Sequence, residues 1–403
     1  MNPADRVNSP AMSSIFRNPF WLVAWVAPLA LIFSVVQFDI WTTRPNGSIH
    51  GAALWGRDFA NVFTSGNLFW QGKLDILYSV EAYRAFQDEL FGPDMLKYHN
   101  YSYPPVSLLY TPLFALLPYY VALVVWLVGT GSLFIWAARP YLKSVGLPAA
   151  FAILLPASIV NIWAGHYGFL IGALWLGAWN LLDRRPMLAG ALIGAMIVKP
   201  HLAILAPIML AARGQWRPFA VAAATSIALV GLSALIFGPE LWATYIKTTA
   251  GFQAAMVNDV GTFFILMMPT VVPQLSILGV PLQIAIPIQA VVAILTVVAV
   301  FRARHMDSRS YGLAGAIATF LVLPYGFSYD MTAANLACLI GMTTFFSRAG
   351  HYWQKAVLAL AFTAPVTILA FSRMDIAITP ILLAAALFAL MRDGRAGANT
   401  EPK

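Results

Sequence analysis

Apolar runs separated by short polar turns dominate the chain, and only two long intervals, 42–103 and 238–261, interrupt them. The runs at 19–41, 119–139, 147–160, 167–182, 187–198, 200–212, 218–237, 281–301, 311–323, 331–346, 353–371 and 376–391 predict about twelve bilayer crossings. A hydrocarbon core takes ~20 apolar residues to span as helix, and the runs lack the alternation of barrel strands. The expected fold is therefore all-α, a polytopic transmembrane helical bundle. The runs at 187–198 and 200–212 meet at Lys199-Pro200, where the missing proline N–H and the restriction on the preceding residue predict a broken helix. Residues 105–118, apolar but bounded by prolines and holding Pro112, predict an interfacial or half-buried helix. Residues 262–278, interrupted by Pro269 and Pro273, predict an interfacial or re-entrant segment.

This gives one membrane domain over 19–391, with outward loops at 42–118 and 238–279. It is flanked by a cytoplasmic N-terminus, 1–18, and a polar, disordered cytoplasmic tail, 392–403. The first run is too long for a signal-peptide core and reads as a retained helix. No internal repeat is legible.

Composition agrees: 60% of residues are hydrophobic and 10% charged, against roughly 25% charged in soluble domains. A net charge of +8 would suggest nucleic acid in a soluble protein. Here the basic residues sit in turns between apolar runs, where they set orientation, and no nucleic-acid partner is expected. With the N-terminus cytoplasmic, that face holds sixteen of the 24 basic and five of the 16 acidic residues, an excess of +11. The opposite face holds eight basic and eleven acidic residues, or −3. The interval 42–103, Gly165-His166, Lys199, the interval 238–261 and Tyr329-Asp330 then face outward from a bacterial inner membrane. The single cysteine, Cys338, rules out an intrachain disulfide and a cysteine-based metal cluster.

The interval 42–103 carries six of the sixteen acids. Among them Asp58, in Trp55-Gly56-Arg57-Asp58-Phe59, is the candidate general base, since partial desolvation at a membrane surface raises carboxylate basicity. A solvated loop acid is the plain alternative, and Asp39 reads as a helix-end residue. Lys199, hemmed by hydrocarbon, is a functional candidate by its position. It can hold a lipid phosphate as a point charge or simply snorkel to the interface. His201 and Arg57 are possible further phosphate donors. His166 reads equally as a phosphate or sugar contact and as an interfacial histidine. Tyr103, in Tyr103-Pro104-Pro105, and Tyr329-Asp330 are candidate sugar or acceptor contacts, with a rigid helix entry and interfacial anchoring as their structural readings. No phosphate-binding loop, dinucleotide fingerprint, nucleophile elbow or H-E-x-x-H occurs. No cofactor is therefore indicated, and no ligand cluster demands a divalent metal. A site facing outward has no cytoplasmic nucleotide sugar at hand, so a sugar donor there is expected to be lipid-activated.

Asp58 after the first run, Gly66-Asn67, the stretch 72–78, Tyr103-Pro104-Pro105, the G-x-x-x-G-x-x-x-x-K-P segment over 190–200 and the late Tyr329-Asp330 occur in a telling order. Over 21–390 the chain resembles the bacterial GT-C membrane glycosyltransferases of family 87, which include polyprenyl-phosphate-mannose-dependent mannosyltransferases. The resemblance implies a polyprenyl-phosphate-linked sugar donor, most simply mannose, a lipid or glycan acceptor, Asp58 as base and Lys199 near the lipid phosphate. His166 departs from the glutamine that many relatives carry. A transporter or flippase of lipid-linked sugars, and a polysaccharide polymerase or ligase, remain the alternatives. The break at Lys199 has no counterpart in the second half, which a repeat-built transporter would show.

Overall fold

A computed structural model describes residues 54–93, 95–96, 99–258, 264–347 and 351–398. The expected first crossing at 19–41, with Arg6, Arg17 and Asp39, lies outside the described residues. So do the cytoplasmic segment 1–18 and the end of the tail. Every element among the described residues is helical.

The first polar interval folds into α1 (Phe59–Trp70) and α2 (Val80–Phe91), the latter capped by Ser79, whose Oγ accepts from the Ala82 N–H. The proline-bounded piece after it is a 3-10 turn, Pro105–Leu109, and a single helical turn, α3 (Thr111–Phe114). This piece is clamped to α1: the Trp70 indole donates to the Pro112 carbonyl at 2.9 Å, and Gly66 lets the Thr111 carbonyl lie against the helix.

Side-chain pairings then give each helix a direction. In α4 (Tyr119–Ser144) and α6 (Gly168–Leu181), Phe134 stacks on Phe169 and the Tyr141 hydroxyl donates to the Leu176 carbonyl at 2.9 Å, so the two run the same way. The stretch between them must return along the bundle. It does so as a 3-10 helix, Ala149–Leu154, and α5 (Pro156–Ala164), broken where Pro156 cannot continue the first piece, rather than as one helix over 147–160.

Likewise α7 (Pro186–Ala195) runs parallel to α9 (Trp216–Phe237), with Gly190 against Pro218 and Gly194 against Ala222. The returning strut is α8 (Leu205–Ala212). Lys199-Pro200 is therefore the apex of a helical hairpin, made of the 3-10 turns Met196–Val198 and Pro200–Ala203, and the expected break is present.

The second interval, read from its polarity as a loop, is instead one helix, α10 (Pro239–Asn258). Proline at its start and Glu240 in its first turn suit a helix N-terminus. Leu241, Tyr245 and Thr249, four residues apart, turn inward, while Ile246, Lys247 and Thr248 are exposed. After the short α11 (Val271–Ile277) come α12 (Leu282–Arg302), α13 (Ser308–Val322), α14 (Thr332–Ser347), α15 (Tyr352–Arg373) and α16 (Thr379–Ala398). They alternate in direction: Gln289 donates to the Leu321 carbonyl, Tyr311 to Val300, and Asn335 to Phe362. The last helix continues through Ala398, past Arg392, where a disordered tail was expected.

Among the described residues, four helices are long and apolar enough to cross a membrane: α4, α9, α12 and α15. Their outer faces stay apolar, with Leu235 87% and Ile227 70% exposed, which suits a lipid surrounding. The two ends of the bundle differ. One gathers the basic turns: Arg213 donates to the Met306 carbonyl at 2.6 Å and to Ser308, Ser308 donates to Asp183 at 2.7 Å, and Arg309 donates to Asn180. The other end carries Asp58, His99, His166, Lys199 and Asp330.

The parallel contact of α7 and α9 depends on bare backbone at Gly190, where a Cβ would run into the Pro218 carbonyl. Gly190→Ala should cost about 1–3 kcal/mol through overpacking and lower the thermal unfolding midpoint in detergent. Gly129→Ala, whose Cβ meets nothing within 4 Å, should leave the midpoint unchanged or raise it.

Candidate active site

Asp58 stands at the N-terminus of α1, 8% exposed. The end of α5 holds it there: the Asp58 N–H donates to the Ala164 carbonyl at 2.9 Å, and the Gly56 N–H donates to Trp163 at 3.3 Å. Gly165, left-handed at φ 72°, ends α5 and leaves room for α1, since a Cβ would lie 2.8 Å from that of Phe59. The turn that fixes the acid also delivers His166.

His99 Nε2 lies 3.5 Å from Asp58 Oδ1. Burial pushes its pKa down to about 4, against the pull of Asp58, so the ring is neutral at physiological pH. Neither imidazole nitrogen has a hydrogen bond to a described residue. His99 was missed in the sequence, where its only signal is that it shares a polar interval with Asp58.

Across the cavity, Lys199 Nζ donates to both carboxylate oxygens of Asp330, at 2.7 and 2.6 Å. His166 Nδ1 is 3.4 Å from the ammonium and 3.5 Å from Asp330 Oδ1, and its Nε2 is 2.9 Å from the Tyr103 hydroxyl. The His166 ring stacks on Tyr329 at 4.0 Å, and Tyr329 on Phe327. Burial and then the Lys199 charge lower the pKa of His166, which is therefore neutral. Burial works against ionisation of Asp330, but the Lys199 ammonium outweighs it and holds the carboxyl below the usual carboxylate range. Lys199 is thus a cation whose charge is balanced from beneath.

These groups open on a cavity of about 280 Å³. Of the residues singled out in the sequence, Asp58, Tyr103, His166, Lys199, His201 and Tyr329 line it, as does His99. His201 packs against Tyr325 at 5.0 Å and has a buried, unpartnered Nε2. Asp330 lies outside the lining, fully enclosed behind Lys199. Arg57 is also outside it, with its guanidinium 4.0 Å over the Trp163 ring. Among the described residues Asp58 is the one carboxylate in the lining. Among the described residues no three His, Cys, Asp or Glu side chains come together as a metal site.

A body helical throughout its described residues, with membrane-length helices and a polar cavity at one end holding a buried acid and a balanced cation, marks a membrane protein with one candidate site. Residues 101–324 match the profile of Glycosyltransferase family 87, more than half of the chain, and the protein belongs to that family. It is a membrane glycosyltransferase, working on a sugar donor and an acceptor. Tyr103, His166, Lys199 and His201 fall within the matched stretch, while Asp58, Tyr329 and Asp330 flank it. Neither the comparison with curated proteins nor that with solved structures gives a match.

Asp330→Asn should strip a buried ammonium of its counter-charge and cost about 3–5 kcal/mol, whereas Lys199→Met combined with Asp330→Leu should recover most of the loss. Unfolding in detergent checks both. Because the folded-state pKa of Asp330 is lowered from 3.8, the pair's contribution is full above that unfolded value. It should be lost only as pH falls below it toward the folded one.

Proposed function

We propose that the protein transfers a single sugar, mannose by family resemblance, from a polyprenyl phosphate to an acceptor hydroxyl, with inversion. The observation that carries this reading is the buried Asp58 carboxylate facing Lys199 across one sugar-sized cavity. The acceptor oxygen bonds to the anomeric carbon while Asp58 takes its proton. The bond from that carbon to the phosphate oxygen breaks, and its electron pair leaves with the phosphate. Phosphate is a good leaving group, so the step requires no general acid. Lys199 and the unpartnered Nε2 of His201 receive the departing charge.

Asp330 is a positioning residue in this reading. It holds the ammonium and keeps it charged where burial alone would neutralise it. Neutral His99 beside Asp58 steers the carboxylate without competing for its charge. Tyr103, His166 and Tyr329 offer ring faces and hydrogen bonds to the sugar. Among the described residues of the cavity lining no second carboxylate stands as a nucleophile beside Asp58. A single displacement inverts the anomeric carbon, as in inverting glycosidases.

The topology supports an extracytoplasmic site in a bacterial inner membrane. We read α4, the stretch 147–164, α6, α7, α8, α9 and α12 to α16 as crossings, which with residues 19–41 makes twelve in a GT-C-like bundle. The end with Arg213, Arg304 and Arg309 is then cytoplasmic by the positive-inside rule, and the cavity lies opposite. A lipid-linked donor is available there and a nucleotide sugar is not. At about 280 Å³ the cavity falls just under the ~300–1,000 Å³ of small-molecule pockets, which favours transfer of one sugar over that of a whole glycan.

The test is transfer of radiolabelled mannose from polyprenyl-phosphate-mannose to the expressing organism's lipid extract in membranes holding the protein. Asp58→Asn should lower transfer by about 10²–10⁴-fold while binding of the polyprenyl-phosphate donor persists. Retained turnover with lost binding would remove Asp58 from the role of base.

A further inference from the structure

A second cavity, of about 400 Å³, lies beside the first, and Asn100 and Thr249 line both. One of its walls is formed by Tyr78, Tyr83 and Tyr101, and the other by Thr248 and Thr249 of α10. The two cavities differ in charge. The first presents Asp58 and Lys199, whereas none of the described residues lining the second is ionised at neutral pH. Burial raises the pKa of all three tyrosines further from that range.

The tyrosine hydroxyls are committed elsewhere. Tyr78 donates to the Tyr103 carbonyl at 2.7 Å, Tyr83 donates to Asn61 at 2.9 Å, and Tyr101 bonds with Ser107. What these residues offer the cavity is therefore ring surface. Thr249 behaves in the opposite way: it is 8% exposed, and its hydroxyl has no partner among the described residues. Leaving a buried hydroxyl unpaired is costly, and here it sits on the wall shared with the first cavity.

Aromatic faces, a few uncharged hydrogen-bonding groups and no cation among the described lining residues suit a sugar ring, whose C–H face packs on aromatics and whose hydroxyls take amide and hydroxyl partners. They do not suit a phosphate. The first cavity, about 280 Å³, is small among small-molecule pockets, so a second sugar fits better in the adjoining one.

We propose that the second cavity is the acceptor subsite. It takes an uncharged glycosyl unit, and Asn100 and Thr249 at the shared wall aim that unit's hydroxyl toward Asp58. The acceptor assignment rests on the transfer reaction proposed above, whereas the affinity for a neutral sugar does not.

The full chain in lipid nanodiscs would be probed with methyl glycosides of mannose, glucose and galactose by ligand-observed NMR, and separately with labelled undecaprenyl phosphate. Thr248 is exposed at the cavity edge, so Thr248→Trp plugs the opening without a cost to the core, and Thr248→Ala leaves it open. Binding of at least one methyl glycoside is expected for the wild type and Thr248→Ala. Thr248→Trp should weaken it tenfold or more while leaving undecaprenyl phosphate binding and the unfolding midpoint unchanged. The proposal is overturned if no methyl glycoside binds the wild type, if Thr248→Trp binds it equally well, or if Thr248→Trp loses both probes. Selective loss of the glycoside in a protein that never binds undecaprenyl phosphate would uphold the neutral-sugar site and reject the lipid-donor reading instead.

Discussion

The buried pair of Lys199 and Asp330 is the constraint on which the cavity end of the molecule depends. Taking two charges out of water costs several kcal/mol per ion, and only close geometry with further hydrogen bonds offsets it. The fold supplies that geometry from residues 131 positions apart in sequence. Lys199 comes from the apex of the α7–α8 hairpin, and Asp330 from the 3-10 turn Ser328–Asp330 between α13 and α14. Once paired, they set the place of His166, which touches both, and through it of Tyr103 and Tyr329.

Close backbone contacts carry the rest of the construction. The Thr332 hydroxyl donates to the Gly168 carbonyl at 2.7 Å, and the Gly168 N–H donates to Asn161 at 2.9 Å. The ends of α5, α6 and α14 are thereby joined beside the ion pair. Gly165 does the same for α1, which carries Asp58. The acid and the cation thus stand on separate elements tied together through one turn, 164–168, so their separation does not depend on long flexible side chains alone.

Much of this was legible along the chain because it is local. The apolar runs announced the helices, the proline after Lys199 announced the break, and the polar setting of Asp58 marked it out. Parts were hidden for equally physical reasons. The 238–261 stretch looked like a loop because its polar residues were read as a mean, whereas its apolar ones recur every four residues on one face of α10. The 147–160 run looked like one helix, but Pro156 divides it into two pieces with different hydrogen bonding. Lys199 looked like a lone cation because nothing near it in sequence reveals Asp330 as its partner. His99 carried no pattern at all, since its role comes from a loop folding back on α1.

The account turns on which side of the membrane the cavity end occupies, because that decides whether a lipid-linked or a nucleotide-linked sugar can reach Asp58. Replacing Cys338 with serine and placing single cysteines at Ser102, on the cavity lining, and at Arg184, in the basic turn, would read this directly with a membrane-impermeant maleimide on intact cells. The account predicts labelling at position 102 and none at 184 until the cells are opened. Labelling at 184 on intact cells, with 102 protected, would place the cavity in the cytoplasm and contradict it.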